Sequence, residues 1–277
     1  MGQNQAKSVW QRFVDTVADD RCSATAAGVS GSVAAALTAE LAGRRDETLL
    51  VVTPTPEESL RFADDLRFFL GGRAGRVLTF AAYHILPFSS LSYHGETAAK
   101  RIRALYRLVV ADRPAIVVAP VAALLQRLVP RAELAGYAEL VIAGEEIDRD
   151  QLIAKLVAGG YQRSAIVEEP GDFCVRGGII DIFSPQYPHP LRLELFGDQV
   201  DALRYFDPVG QRRLQDVEEA VVLPAREALL PAERLGEVTS RLRLQASLQE
   251  MAVTQVRDLV EELRREAAFP GIESLLS

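Results

Sequence analysis

The spacing of apolar residues changes along this chain, and the changes mark its elements. Between Lys7 and Asp19, Val9, Trp10, Phe13, Val14 and Val17 recur at helical spacing, which predicts an amphipathic helix. Short apolar runs then alternate with longer amphipathic stretches. ATAAGV (24–29), TLLVVT (48–53), RVLTF (76–80) and AIVVAP (115–120) read as strands. Ser32 to Arg44, Pro56 to Leu70 and Glu96 to Val110 read as helices, the second opened by proline with two glutamates and closed by Gly71-Gly72. Strands alternating with helices of this length predict an α/β domain over residues 1–134, a parallel sheet with helices on both faces.

From about Leu140 the period shortens. Asp148 with Gln151 has the arrangement of a capping box and starts a helix that ends near Gly159-Gly160. FCVRGGIIDIF, LRLELF and QVDALRYF then alternate with period two, and Gly197-Asp198 between the last two favours a tight antiparallel hairpin. A smaller α+β domain with an antiparallel sheet is expected over residues 135–223. In 224–277, Leu235 to Leu244 and Val256 to Glu266 read as helices. The closing FPGIESLLS has no obvious terminal element, which points to a piece of a longer chain. There is no internal repeat and no low-complexity segment.

Composition narrows the class. The 277 residues are 48% hydrophobic and 25% charged, the balance of a globular protein with room for two domains. A formal net charge of -7 argues against a chain built to clamp nucleic acid through a basic surface. Cys22 and Cys174 have neither zinc-ligand spacing nor the number for a disulfide framework. No apolar run approaches the ~20 residues that cross a bilayer. MGQNQAKSVWQRF runs directly into a helix rather than a leader, so a cytoplasmic protein is expected, and nothing suggests other than a monomer.

The stretch GVSGSVAA (28–35) raises the question of chemistry. It has the length and opening glycine of a phosphate-binding loop, G-x-x-x-x-G-K-[ST], and sits before a predicted helix. Aligned on Gly28, however, the second glycine is Val33, the lysine is Ala34 and the magnesium-binding hydroxyl is Ala35. Without them the phosphates lose their point charge, their metal ligand and the tight amide curl. Ser30, Gly31 and Ser32 still lie at a helix N-terminus, which favours an anion. AIVVAP also ends in Pro120 where an ATPase places a magnesium-binding acid. No catalytic residue and no metal site are expected.

Several stretches resemble a known family. GVSGSVAAALTAELAGRRDETLLVVTPTPEESLRFADDLRFFL is similar to the first helicase-type segment of the excision-repair protein UvrB, with its phosphate loop eroded. ILPFSSLSYHGETAAKRIRALYRL, IVVAPVAALLQRLVP, GYQRSAIVEEPGDFCVRGGIIDIFSP, LRLELFGDQVDALRYFDPVGQRR and FPGIE resemble, in order, the N-terminal UvrB-homology module of the bacterial transcription-repair coupling factors, the Mfd family. The resemblance covers almost the whole chain. It implies a helicase-like, degenerate P-loop parallel-sheet domain with an inserted smaller α+β domain, and a truncated 1b-like segment (224–277) packing back on the first. It implies no cofactor for this chain, ATP and magnesium belonging to the translocase part of the longer family members. The partner it implies is UvrA, with RNA polymerase and DNA engaged by parts outside this chain.

The same resemblance places the UvrA-binding surface on the second domain, at Arg163, Arg176, Phe183, Arg192 and Glu194. Periodicity supports part of this: Leu191, Leu193 and Leu195 point to one face of LRLELF, and Arg192, Glu194 and Phe196 to the other. Arginines beside an aromatic on a wet face have the composition of a protein-binding patch, although alternating charges and leucines are also the ordinary solvated face of a sheet. Gly177-Gly178 after Arg176 is consistent with a bulge that re-aims its side chain. His84, His94 and His189 lie in loop-like stretches without catalytic companions. Asp64-Asp65 and Glu168-Glu169 are sequence neighbours that diverge in direction, so neither forms a shared-proton pair. The competing expectation is a divergent nucleotide-binding helicase or ATPase core acting on damaged DNA.

Overall fold

The computed structural model describes residues 8–19, 23–83, 95–110, 113–229, 234–248 and 250–265. The chain divides into two compact units. One comprises the described residues up to Ala82 with Val110–Gln126, the other the described residues of Tyr83–Val109 and from Arg127 onward. His84, His94, Cys22 and the closing FPGIE lie outside the described residues.

In the first unit, α1 (Val9–Val17) opens with a capping box between Ser8 and Gln11. α2 (Val33–Arg44), β1 (Leu49–Thr53), α3 (Pro56–Leu70), a 3-10 turn (Gly71–Arg76), β2 (Val77–Thr79), β3 (Ile116–Pro120) and the short α5 (Val121–Leu124) follow the predicted alternation. The boundaries of α3 are those the sequence signals. The Thr55 side chain accepts the Glu58 amide, Pro56 occupies the first turn, and Gly71 takes φ +53° at the end. The three strands form a parallel sheet ordered β1-β3-β2. Ala35, Ala39 and Ala42 of α2 pack with Ala63, Leu66 and Leu70 of α3, and with Val77, Ile116 and Val118 of the sheet. On the opposite side of β1, Leu50 and Val52 are half exposed.

ATAAGV is not a strand. Residues 23–30 have no regular structure and are exposed. Alanine and glycine have low strand propensity and offer little side chain to bury, so the run gains little from joining a sheet.

The second unit is larger. It contains α4 (Gly95–Val110, apart from its last residue), α6 (Arg131–Tyr137), β4 (Glu139–Ile142) and α7 (Arg149–Ala158), the last capped by Asp148, which accepts the Gln151 amide at 2.9 Å. Then come β5 (Gln162–Arg163), β6 (Asp172–Arg176), β7 (Ile179–Ile182), β8 (Leu191–Phe196), β9 (Gln199–Phe206), β10 (Arg213–Asp216) and β11 (Glu219–Val222). β5 to β10 form a six-stranded sheet in reverse chain order, antiparallel except for the β5–β6 pair. β4 and β11 pair separately. Phe173, Ile180, Ile182, Leu191, Leu193 and Leu203 of the large sheet share a core with Leu152 and Leu156 of α7 and with Val141, Ala220 and Val222 of the small one. α8 (Leu235–Leu248) and α9 (Val253–Arg265) close the described chain around Leu263.

These units divide the chain differently from the three segments read in the sequence. α4 groups with the antiparallel unit, where its arginine side chains are bonded. Arg101, with no exposed surface, pairs with Glu227, donating from Nη2 to Oε2 at 3.2 Å, and its guanidinium lies 4.4 Å from the Tyr83 ring centroid. Tyr83 donates to the same carboxylate at 2.9 Å, and Arg103 donates twice to the Pro185 carbonyl. Residues 224–265 belong to this unit as well.

Candidate functional site

An antiparallel sheet that buries alternate residues on one core aims the others at its second face. Here the inward row is Phe173–Ile182–Leu191, and the neighbouring outward row crosses five strands as Cys174–Asp181–Arg192–Arg204–Asp216. Two residues further along, Arg176, Ile179, Glu194 and Ala202 form the next outward row. The register therefore brings Arg176, Arg192 and Glu194 to one face.

Asp181 organises that face. Its carboxylate is 1% exposed and accepts from Arg192 Nε at 2.6 Å, Arg192 Nη2 at 2.9 Å and Arg176 Nη2 at 2.6 Å. Arg192 Nη2 also donates to Gln211 Oε1 at 3.1 Å, and its guanidinium carbon sits 4.4 Å from the Phe206 ring centroid. The fork of two hydrogen bonds with a ring beneath is the arrangement for which arginine is suited and lysine is not. Its bond to Asp181 raises the Arg192 pKa above the ordinary value. Arg192 lies directly opposite Arg204, a repulsive pairing that Asp181 and Glu194 offset; Glu194 accepts from Arg204 Nη2 at 2.7 Å. Gln211 is aimed by a tight turn in which it takes φ +53°, a conformation uncommon for a residue with a Cβ.

The two ends of the face differ. At one end Phe183, Phe206 and Cys174 pack under Val167 of the loop joining β5 to β6. Asp172 Oδ2 holds that loop by accepting the amides of Glu168 and Glu169. Phe183 is only 6% exposed, so the aromatic expected on the binding surface is covered by that loop instead. At the other end, beside the turns Gly177-Gly178 and Gly197-Asp198, Phe196 is 82% exposed. Leu195 packs toward the inner core, which leaves Phe196 on the outer face.

Gly177-Gly178 forms no bulge. Arg176 pairs with Ile179 in unbroken register, and the glycines are the two residues of a tight turn with Gly177 at φ +58°. A Cβ at Gly178 would stand 2.7 Å from the Leu195 carbonyl oxygen, because β8 closes against the turn with Leu195 donating its amide to the Gly178 carbonyl. The predicted hairpin at Gly197-Asp198 is present, with Phe196 opposite Gln199. Arg163 is exposed on edge strand β5, opposite Phe173 and apart from the Asp181 network.

Sequence reasoning missed Asp181, Gln211 and Arg204, while strand parity already puts Phe196 on the outer face. A signal for Asp181 existed: a lone carboxylate in the apolar run IIDIF must find a partner if it is buried.

In the first unit, Gly28 and Gly31 take φ +72° and +58°, and Ser32 precedes α2 without a side-chain capping bond. Val33 is exposed, Ala34 half-buried and Ala35 buried at 1%. No group of three or more His, Cys, Asp or Glu side chains among the described residues is placed to hold a metal ion. No helix among them is long and apolar enough to cross a membrane.

The sheet and its flanking strands coincide with a known family. Residues 141–227 match the UvrB interaction domain, so the outer face described above lies within a module of that class. Over most of its length the chain is homologous to transcription-repair-coupling factors. It is 36% identical over 253 residues to that of Myxococcus xanthus, which covers 90% of this chain and 21% of the relative. It is 34% identical over 199 residues to that of Escherichia coli K12 (72% and 17%) and 32% over 237 residues to that of Bacillus subtilis 168 (84% and 20%). The chain thus spans about a fifth of the length of the curated relatives it matches.

Proposed function

We propose that this chain is a non-catalytic, UvrB-like recruitment module that binds UvrA through the outer face of its antiparallel sheet. It would thereby bring nucleotide excision repair to a stalled RNA polymerase. The observation that carries the reading is the coincidence of the UvrB interaction domain with a face on which Arg176 and Arg192 gather around one buried carboxylate, beside the Glu194–Arg204 pair. Arginine is enriched among the residues that dominate protein interfaces. Arg163, exposed on β5 in register with Phe173 of the inward row, and Phe183, covered by the β5–β6 loop, lie off this patch. Contact with RNA polymerase and ATP-driven movement on DNA belong, in this reading, to the four-fifths of the coupling factors that this chain does not match.

The first unit is read as a helicase-type domain whose nucleotide site has eroded. Its support is the loop at Gly28–Ala35, which keeps glycines at positive φ but has Val33, Ala34 and Ala35 where glycine, lysine and hydroxyl are needed. No cofactor is assigned to this chain.

Titrating UvrA against the 277-residue chain tests the partner. Wild type binds in the nanomolar-to-micromolar range, and the Arg176→Ala/Arg192→Ala double variant binds at least about tenfold more weakly, the loss typical of interface hot spots. Equal affinity of the folded double variant overturns this surface.

A further inference from the structure

We infer that Asp181 is a positioning residue of this face, and that it divides the labour between its two arginines: Arg192 is fixed, while Arg176 is the arm released to an acidic group on the partner. The inference rests on the UvrA reading for the partner's identity only.

The asymmetry is in the bonds. Arg192 gives Asp181 two hydrogen bonds, gives Gln211 a third and lies on Phe206, with its side chain 18% exposed. Arg176 gives Asp181 one, and its side chain is 50% exposed. A buried carboxylate stripped of its cation is costly. When Arg176 swings away, however, Asp181 remains neutralised by the two-point contact with Arg192, so no buried charge is stranded. If Arg192 left instead, Asp181 would keep one half-exposed partner and Phe206 would lose its cover. In the free protein the single Arg176 contact restricts a long side chain beside the open end of the face, which lowers the ordering cost on binding.

Affinity for UvrA and the side-chain Nε–H resonance of Arg192 test this together in four forms of the full chain: wild type, Arg176→Ala, Asp181→Asn and the double variant. Arg176→Ala binds about tenfold more weakly with an unchanged melting temperature and an unchanged Arg192 resonance. Asp181→Asn weakens binding about three- to tenfold and broadens or shifts that resonance, and in its background Arg176→Ala costs less than about threefold, because residues of one network are non-additive. Two losses that multiply, or Asp181→Asn binding like wild type, overturn the inference. If wild type does not bind UvrA, the partner reading fails while the tether is still decided: an Arg192 resonance lost in Asp181→Asn and kept in Arg176→Ala supports it, and one unmoved in both removes it. Should Asp181→Asn not fold, Asp181→Glu keeps the charge but shifts the carboxylate, and the same comparison applies.

Discussion

The parallel sheet and the six-stranded sheet differ in where their charges lie. Around the parallel sheet, the ion pairs Arg44–Glu40, Arg44–Asp15 and Arg67–Asp64 have side chains about a third or more exposed. Such pairs contribute little, typically ~0–1 kcal/mol. The antiparallel unit instead buries Asp181 beneath two arginines and Arg101 against Glu227. Removing one member of a buried pair strands the other, so these charges constrain the fold in a way the exposed ones do not. The contrast follows the chemistry. Beyond Gly28 and Gly31 the first unit packs small apolar side chains of α2 into its core, whereas the outer face of the six-stranded sheet keeps cations at the cost of burying a carboxylate.

The largest effect expected of breaking this contrast is at Glu227. Glu227→Ala leaves Arg101 buried without its carboxylate and should lower stability by about 3–5 kcal/mol. Urea unfolding measures it, and a loss below ~1 kcal/mol would place the pair with the exposed ones. Next is the loop of the parallel unit. Ala35→Thr introduces a hydroxyl at a fully buried position in the α2–α3 core, and overpacking should cost about 1–3 kcal/mol. The half-buried Ala34→Lys should stay within ~0.5 kcal/mol.

Tyr161 gives a smaller effect with a pH signature. Its phenol donates to the Leu223 carbonyl, and burial raises its pKa above the ordinary value of 10.0. A raised folded-state pKa means the native state keeps a proton that the unfolded chain gives up. The stabilisation is therefore complete below pH 10 and is lost as pH rises beyond it. Tyr161→Phe should cost about 1 kcal/mol at neutral pH and flatten the alkaline fall in melting temperature. The smallest effect is expected of Mg-ATP. At a concentration no greater than its dissociation constant it adds at most ~0.4 kcal/mol, so the melting temperature should not move measurably. A clear rise would restore the nucleotide-binding enzyme as the reading of the first unit.

Local signals carried much of this fold. Thr55, Pro56 and Gly71 delimit α3, Asp148 and Gln151 start α7, and Gly197-Asp198 turns the β8–β9 hairpin, because each acts within a few residues. What failed depends on distant packing. Alternation put Phe183 and Phe196 on positions that can share a face, but only the fold shows that the β5–β6 loop covers one and leaves the other bare. Amphipathicity showed that α4 has a face to bury, not that Arg101 would meet Glu227, 126 residues later. At the site, Arg176, Arg192 and Glu194 were legible from the family resemblance and, for the last two, from strand parity. For Asp181 the apolar run IIDIF signalled only the need for a partner; which cations it would meet depends on two other strands.

The closeness of Leu195 to Gly178 makes a turn answerable for a strand it does not belong to. Any side chain at 178 would have to push aside a carbonyl of β8, and that displacement would prise the first hairpin from the third strand at the end where Arg176, Glu194 and Phe196 emerge. The spacing of those three groups, which a binding partner would measure, is thus set by the absence of a single methyl.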